Sequence, residues 1–273
     1  MFSVIIPLYN KEISILNTVN SVLEQTFKNF EIIIVNDGST DNSLNLIQTL
    51  EDPRIKVIDQ LNAGVSMARN RGIKESKFEW ITFLDADDLW KSIHLETLKN
   101  LIDYHNEDKV FCTSFVRSNE RVKDSNDTSV FVIDDYFREA IKESFFWTSV
   151  TCIHKSVFGQ VGVFPKGISR GEDLDLWQRI GRDYRFIKSN RVTAIYRIDS
   201  ENKLTTSSFD YKKSALSLDH KRVRYFTRQS EKDYHISTLK RYVRTFLMRL
   251  DFKSAIKTLN KLIFMLFKPV KHD

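Results

Sequence analysis

The sequence predicts an α/β fold, with a mostly parallel, nucleotide-binding type of sheet flanked by helices and a helical extension at the C-terminal end. Three observations support this prediction. About the first ninety residues alternate short β-branched runs with helical patterns, which is typical of right-handed βαβ crossovers. The strand-like runs are almost continuously apolar, as in parallel sheets that are covered on both faces. The last part of the chain repeats an amphipathic helical pattern.

The predicted elements follow one another in a regular order. In the first part, strands are predicted at residues 4–7, 31–35, 55–58 and 80–84, and helices at 13–23, 43–50 and 65–76. In the less regular middle, strands are predicted at 110–116 and 130–133, a polar surface loop at 118–127 and a helix at 172–180. We therefore expect one large domain over residues 1–205.

The remaining residues predict a pair of helices. Apolar residues recur with i, i+3, i+4 spacing on both sides of Asp251, which can serve as the N-cap of the second helix. This pattern indicates an antiparallel helical hairpin, so residues 206–273 are interpreted as a C-terminal extension. The extension carries 16 lysines and arginines against 6 acidic residues, which leaves the preceding domain mildly acidic.

Composition excludes several classes of protein. With 8 glycines, 4 prolines and 2 cysteines in 273 residues, the chain is neither collagen-like nor a disulfide scaffold. Its apolar runs are too short to span a bilayer, and no signal peptide is recognisable after Met1, so a cytoplasmic location is expected. In that compartment Cys112 and Cys152 should be free core residues.

Polar and acidic residues cluster where the four predicted parallel strands end. They are Pro7-Leu8-Tyr9-Asn10, Asn36-Asp37-Gly38-Ser39-Thr40-Asp41, Asn62-Ala63-Gly64 and Asp85-Ala86-Asp87-Asp88. Because ligands bind at the carboxyl ends of strands in such sheets, these groups should share one edge. The chain lacks a G-x-G-x-x-G fingerprint and a Walker motif. A diphosphate would therefore be held through a bridging Mn²⁺ or Mg²⁺, to which Asp85 and Asp87 offer hard oxygen ligands.

The same segments resemble the motifs of a known family. In order along the chain stand VIIPLYN at 4–10, VNDGSTD at 35–41, NAGVSMARNRG at 62–72, FLDADD at 83–88 and GEDLDLW at 171–177. This series resembles that of the family 2 nucleotide-sugar glycosyltransferases, over roughly residues 1–205. The resemblance implies a GT-A fold and the transfer of a sugar, with inversion, from a nucleotide-diphosphate donor that we expect to be a UDP-sugar.

The resemblance implies which residues hold the base of the donor. Tyr9, in the motif with Pro7, would stack on the base, and Asp37 would accept a hydrogen bond from the imide N–H of the base. Arg69 would lie beside the base or the diphosphate. The alternative for Arg69 is an exposed helix charge.

The fourth strand end would hold the metal. By the resemblance, Asp85 would contact the ribose or the metal, Ala86 would line the donor site, and Asp87 would ligate the metal that bridges the diphosphate. Asp88 could lie behind these ligands. The alternative is that Asp87 and Asp88 merely start the following helix.

Inverting transfer needs a base that takes the proton of the acceptor hydroxyl. Asp173 resembles the base of the family, and Glu172 beside it could position the acceptor or raise the pKa of Asp173. The alternative is that Glu172, Asp173 and Asp175 are favourable charges in the first turn of a helix, which packs inward through Leu174 and Trp177.

Two other segments leave alternatives open. Many relatives carry a histidine where this chain has Asp199, so a role for Asp199 at the metal is in doubt, and Arg197 could serve the diphosphate instead. The aromatic run Phe145-Phe146-Trp147 could line an acceptor groove or belong to the core.

The leading hypothesis is a metal-dependent inverting glycosyltransferase that acts on a glycan or lipid-linked oligosaccharide in surface polysaccharide synthesis. The alternatives are a non-catalytic nucleotide-sugar or glycan-binding module, against which Asp87 and Asp173 argue, and a nucleotidyltransferase, whose glycine-rich phosphate loop is missing.

The basic extension has two interpretations. Its apolar stripe could pack on the body under a solvated basic face. It could instead bind the anionic inner face of the cell membrane, as basic amphipathic helices do. No motif for nucleic-acid recognition is present, so nucleic acid is not an expected partner.

Overall fold

The computed structural model describes residues 1–120, 127–143, 145–201, 209–218 and 225–270, and within them it contains one mixed sheet with helices on its faces. The strands are β1 Phe2–Leu8, β2 Phe30–Asp37, β3 Ile55–Gln60, β4 Trp80–Phe83, β5 Leu89–Trp90, β6 Val110–Arg117, β7 Val130–Ile133, β8 Thr151–His154 and β9 Phe186–Tyr196. The helices are α1 Ile15–Leu23, α2 Ser43–Gln48, α3 Val65–Glu75, α4 His94–Tyr104, α5 Tyr136–Lys142, α6 Lys155–Val161, α7 Glu172–Asp183, α8 Gln229–Met248 and α9 Phe252–Leu266.

The first half of the sheet is parallel, as the sequence predicts. Strands β3, β2, β1 and β4 lie side by side in that order, and all three pairings are parallel. Every residue of β1 and β2 is buried, which explains their continuous apolar runs. Since the four strands run the same way, their carboxyl ends and the polar residues that follow them meet at one edge.

The second half of the sheet is mixed. Strand β8 pairs antiparallel with β4 and β6, and β9 pairs parallel with β6 and antiparallel with β5 and β7. The sequence predicts β6 and β7 but not β5, β8 or β9. Most of the polar loop predicted at 118–127 lies outside the described residues. Cys112 and Cys152 are free and buried, as predicted.

The C-terminal helices form the predicted hairpin. Asp251 caps α9 by accepting a hydrogen bond from the backbone N–H of Ser254 at 3.1 Å. A small apolar cluster of its own, which includes Leu239, Phe246 and Leu262, holds the hairpin together. No helix within the described ranges is long and apolar enough to cross a membrane.

The hairpin packs on the body through α8 and leaves one face of α9 uncovered. Arg182 on α7 pairs with the buried Glu231 on α8 at 2.6 Å. The exposed residues of α9 and its ends include Phe252, Ile256, Leu259, Ile263 and Phe267. The packing of the apolar stripe on the body therefore holds for α8, while these residues of α9 are exposed to solvent.

Candidate functional site

A cleft of about 690 Å³ opens at the carboxyl edge of the parallel strands. Every residue that the sequence predicts for the donor, the metal and the base lines this cleft: Pro7, Tyr9, Asp37, Arg69, Asp85, Ala86, Asp87, Glu172 and Asp173. They come from three strand ends, one helix and the first turn of α7. The fold therefore brings together residues that are up to 166 positions apart in the sequence.

Asp37 organises the turn that follows β3. It is buried, and its carboxylate accepts hydrogen bonds from the backbone N–H groups of Ala63 and Gly64 at 2.9 and 2.8 Å, and from the side-chain amide of Gln60 at 2.7 Å. Gly64 has φ +92°, a conformation that favours glycine. Asp37 thus fixes the shape of this wall of the cleft. Tyr9, which is 40% exposed, lines the same cleft.

Arg69 is a buried cation and not an exposed helix charge, so that alternative is wrong. Its guanidinium donates to Asp85 Oδ1 at 2.7 Å and to Glu172 Oε1 at 2.8 Å, and it lies 5.2 Å from the centre of the Phe164 ring. Burial lowers the pKa of Arg69, but Asp85 and then Glu172 outweigh it and raise the pKa above its usual range. Arg69 therefore stays charged and links the motifs of α3, β4 and α7.

The acidic residues after β4 do not start a helix, because β5 follows them and α4 begins only at His94. Asp88 is fully buried and accepts hydrogen bonds from Ser149 Oγ at 2.8 Å and from the backbone N–H of Arg197 at 3.1 Å. Burial, and then the charges of Asp85 and Asp87, raise the pKa of Asp88 well above its usual value. Asp88 therefore anchors the acidic turn from behind the cleft.

The carboxylates of Asp85 and Asp87 fit a hard divalent cation. Each has one oxygen, Asp85 Oδ2 or Asp87 Oδ1, to which no described residue donates a hydrogen bond. In the described part of the chain, no three His, Cys, Asp or Glu side chains converge on a common point. A Mg²⁺ or Mn²⁺ ion here would complete its shell with phosphate oxygens and water, as is usual for ions held by one or two carboxylates.

Lys11 is a cleft residue that the sequence analysis missed. Its ammonium group lies 2.6 Å from Asp87 Oδ2 and also donates to the backbone carbonyl of Glu201. Ser200 Oγ donates to the same Asp87 oxygen at 2.6 Å. A basic residue directly after the first strand-end motif was the signal that could have pointed to Lys11.

Asp173 lies in the first turn of α7, whose N-cap is Gly171. Burial, and then the neighbouring Glu172, raise the pKa of Asp173 to about 7, although Arg69 opposes the shift. The helix-start alternative describes its position correctly, but Asp175 differs from Asp173 because it pairs with Arg179 at 3.0 Å and does not line the cleft. A carboxylate with a pKa near neutrality can act as a general base.

The two segments whose roles the sequence leaves open, residues 145–147 and 197–199, differ in their relation to the cleft. Phe145 and Phe146 are buried in the core, whereas Trp147 lines the cleft with Tyr196, its ring centre 5.0 Å away. Neither Arg197 nor Asp199 lines the cleft, and the Asp199 side chain is 71% exposed.

The C-terminal extension contributes to the far wall of the cleft. Arg170 and Ser214 form a β-bridge, in which the N–H of Ala215 donates to the carbonyl of Arg170 at 2.8 Å. This bridge lies next to Lys213, which lines the cleft as Asp173 does. The sequence analysis missed Lys213 because residues 206–273 were read only as a helical hairpin.

The fold and the cleft define a class of protein, the glycosyltransferases with a GT-A fold. The structure of S. aureus TarS 1-349 in complex with UDP-GlcNAc is similar, with a TM-score of 0.75 and 19% identity, over 97% of this chain and 81% of that one. The sequence model of glycosyl transferase family 2 matches residues 3–165. The chain therefore belongs to glycosyl transferase family 2.

Curated relatives agree with this assignment. An uncharacterized glycosyltransferase of Rickettsia bellii (strain RML369-C) is 36% identical over 190 residues, which are 64% of this chain and 25% of that protein. Glycosyltransferase GlyG of Streptococcus pneumoniae serotype 4 is 39% identical over 113 residues, which are 40% of this chain and 38% of that protein. The chain thus spans well under half the length of these relatives.

Proposed function

We propose that this protein transfers a sugar, with inversion, from a UDP-sugar to a hydroxyl group of a glycan or lipid-linked oligosaccharide in surface polysaccharide synthesis. The observation that carries the proposal is the position of Asp173, a carboxylate with a pKa of about 7, in the same cleft as the acidic strand ends. A non-catalytic binding module would have no need for such a group. Residues 1–205 form the catalytic part and residues 206–273 the extension.

The donor occupies the half of the cleft built by the parallel strands. Tyr9, in the motif with Pro7, stacks on the base of the donor. The imide N–H of the base donates a hydrogen bond to the carboxylate of Asp37, which is held in place by the three hydrogen bonds that it already accepts. Asp85 lies toward the ribose, oriented by Arg69. The similarity to a protein that binds UDP-GlcNAc and UDP supports this choice of donor.

Asp87 and Asp85 would hold Mn²⁺ or Mg²⁺ for the diphosphate, and Ala86 between them lines the donor site. When bound, the ion neutralises the charge that develops on the departing diphosphate. The free oxygens of both carboxylates support this assignment.

Asp173 takes the proton of the acceptor hydroxyl. The acceptor oxygen forms a bond to the anomeric carbon on the face opposite the diphosphate, and the bond from that carbon to the diphosphate breaks. Burial, and then Glu172, which Arg69 holds in place, raise the pKa of Asp173, so that Asp173 can accept the proton.

We also place the protein at the inner face of the cell membrane, as a peripheral cytoplasmic enzyme. The exposed face of α9 is apolar, Lys253 and Lys257 on this helix are exposed, and residues 252–271 contain no acidic residue. Two copies meeting on this face would bring like charges together, whereas anionic headgroups would neutralise them. Lys257 Nζ lies 5.1 Å from the centre of the Tyr211 ring, two residues before Lys213 in the cleft, so a bound membrane would lie near the acceptor side.

The test is a thermal-shift assay that measures the binding of a panel of nucleotide sugars with and without Mn²⁺. We expect one donor to raise the melting temperature only with Mn²⁺ in the native protein, and to have no such effect on Asp87→Ala. The control is Asp59→Ala, because Asp59 lies on β3 near the same edge but does not line the cleft. No shift with any donor would overturn the proposal, and a bound donor that is never transferred to any acceptor would favour the non-catalytic module.

A further inference from the structure

Lys11 stands at a position where a cation can reach the donor's diphosphate. It directly follows the loop after β1, beside the acidic turn after β4, and its side chain lines the cleft although it is only 9% exposed. Its ammonium contacts two oxygens, Asp87 Oδ2 and the Glu201 carbonyl. An ammonium group has three N–H donors, so one remains beyond these contacts.

The backbone around Lys11 is fixed by hydrogen bonds on both its N–H and its carbonyl. The N–H of Lys11 donates to Ser43 Oγ at 2.8 Å, and its carbonyl accepts from the N–H groups of Ser14 and Ile15 at 3.1 and 2.9 Å. Asn10 before it has φ +51°, which turns the chain sharply from β1 toward α1. The four-carbon stem of Lys11 can therefore swing its charge between neighbouring acceptors without moving the main chain.

The Lys11 ammonium and a metal ion would share the Asp87 carboxylate, the ammonium on Oδ2 and the ion on Oδ1, to which no described residue donates. Asp87 Oδ2 accepts from both Lys11 Nζ and Ser200 Oγ, at 2.6 Å each. A divalent ion bound by Asp87 would lie close to the ammonium and repel it. The diphosphate of a nucleotide sugar supplies new anionic oxygens at this place, so the displaced ammonium gains an anionic partner in place of Asp87 when the donor is present.

We propose that Lys11 is a diphosphate-binding residue, which is held on Asp87 in the free protein and transfers to the phosphate oxygens of a nucleoside diphosphate when the donor binds; a bound metal ion favours the same transfer by repelling the ammonium group. The inference rests on the proposed donor site. It implies that Lys11 has opposite effects on two ligands. It weakens the binding of the metal alone and strengthens the binding of the nucleotide.

The experiment measures both affinities separately by calorimetry, with UDP, uridine and Mn²⁺ as probes. In the native protein without metal, UDP should bind more tightly than uridine. In Lys11→Gln, we expect metal-free UDP binding to weaken about tenfold, the loss of one charge-assisted hydrogen bond, while uridine binding stays unchanged. Binding of Mn²⁺ without nucleotide should become tighter by several-fold, because the competing charge is gone.

The control is Lys56→Gln, which removes a lysine from an ion pair with Glu75 at 2.7 Å outside the cleft and should change none of these affinities. Weaker binding of UDP, uridine and Mn²⁺ together in Lys11→Gln would indicate a structural role and overturn the proposal. Unchanged UDP binding would overturn it too. If Lys11→Gln does not fold, the native protein decides, since equal metal-free affinities for UDP and uridine contradict the proposal. Failure of UDP to bind even with Mn²⁺ would instead refute the donor site itself.

Discussion

Arg69 and Glu172 form a buried ion pair, Nη1 to Oε1 at 2.8 Å, that joins α3 to α7 across the cleft. Their side chains are 5% and 9% exposed. Because Arg69 also pairs with Asp85, this one guanidinium holds together a carboxylate that follows β4 and one on α7.

Removal of Arg69 should destabilise the fold strongly. Arg69→Met leaves the carboxylates of Glu172 and Asp85 without a counter-charge, so we expect the free energy of unfolding to fall by about 3–5 kcal/mol in urea denaturation at neutral pH. Arg71→Met is the control, because its ion pair with Glu75 on the same helix is half exposed and should contribute less than about 1 kcal/mol. Similar losses in the two variants would contradict the role given to Arg69.

The pH dependence of transfer should report Asp173. A general base must be ionised, so kcat/KM should fall as pH drops through the pKa of about 7 and level off above it. Asp173→Asn should abolish transfer and still bind UDP. Asp175→Asn, in the same helical turn but bonded to Arg179, should keep the native profile. A native profile that stays flat between about pH 5 and 8 would contradict the assignment.

The same shift predicts an effect on stability. Since the native state raises the pKa of Asp173 above its unfolded value, the native state binds the proton more tightly. Protonation of Asp173 therefore contributes fully to the free energy of unfolding below about pH 4, and this contribution is lost as the pH rises through about 7. Asp173→Asn should therefore unfold at a higher temperature than the native protein above pH 7, and calorimetric scans should show the difference disappearing near pH 4.

Two glycine substitutions should have opposite effects. A Cβ on Gly72 in α3 would lie 2.4 Å from Cγ2 of the buried Ile5, so Gly72→Ala should cost about 1–3 kcal/mol of unfolding free energy. Gly159 in α6 has no described atom within 4 Å of such a Cβ, so Gly159→Ala should add up to about 1 kcal/mol. Denaturant titration of both variants checks the pair, and a stabilised Gly72→Ala would refute the close packing of α3 on β1.

Membrane binding should depend on the uncovered face of α9. The double variant Ile256→Ser and Ile263→Ser should no longer sediment with vesicles that contain phosphatidylglycerol, whereas the native protein should. Phe131→Ser, at an exposed apolar position on β7, should bind like the native protein. If light scattering without lipid shows a dimer that the double variant abolishes, the face is an interface between copies.

The parallel half of the sheet could be predicted because burial on both faces leaves an apolar run that few other structures produce. Strand β9 could not be predicted, because Lys188, Asn190 and Arg191 lie among its apolar residues and the strand shows no regular alternation of apolar and polar residues. Its place in the sheet is set by pairing with β6, a contact that is distant in the sequence.

The strand-end residues that line the cleft could be predicted for a similar reason. Parallel strands bring their ends together, so residues such as Asp37 and Asp87 must meet at one edge. The ion pairs between them could not be predicted, because the pairing of Lys11 with Asp87, or of Arg69 with Glu172, depends on where helices and loops of distant segments pack. The fold thus determines which residues meet, and the packing determines what each of them does there.

The bridge between Arg170 and Ser214 has a consequence for how such an enzyme can change over time. The strand ends that line the cleft come from about the first ninety residues, while Lys213 in its lining comes from a separate part of the chain. A substitution within residues 209–218 can therefore reshape the lining of the cleft while every strand-end residue stays unchanged.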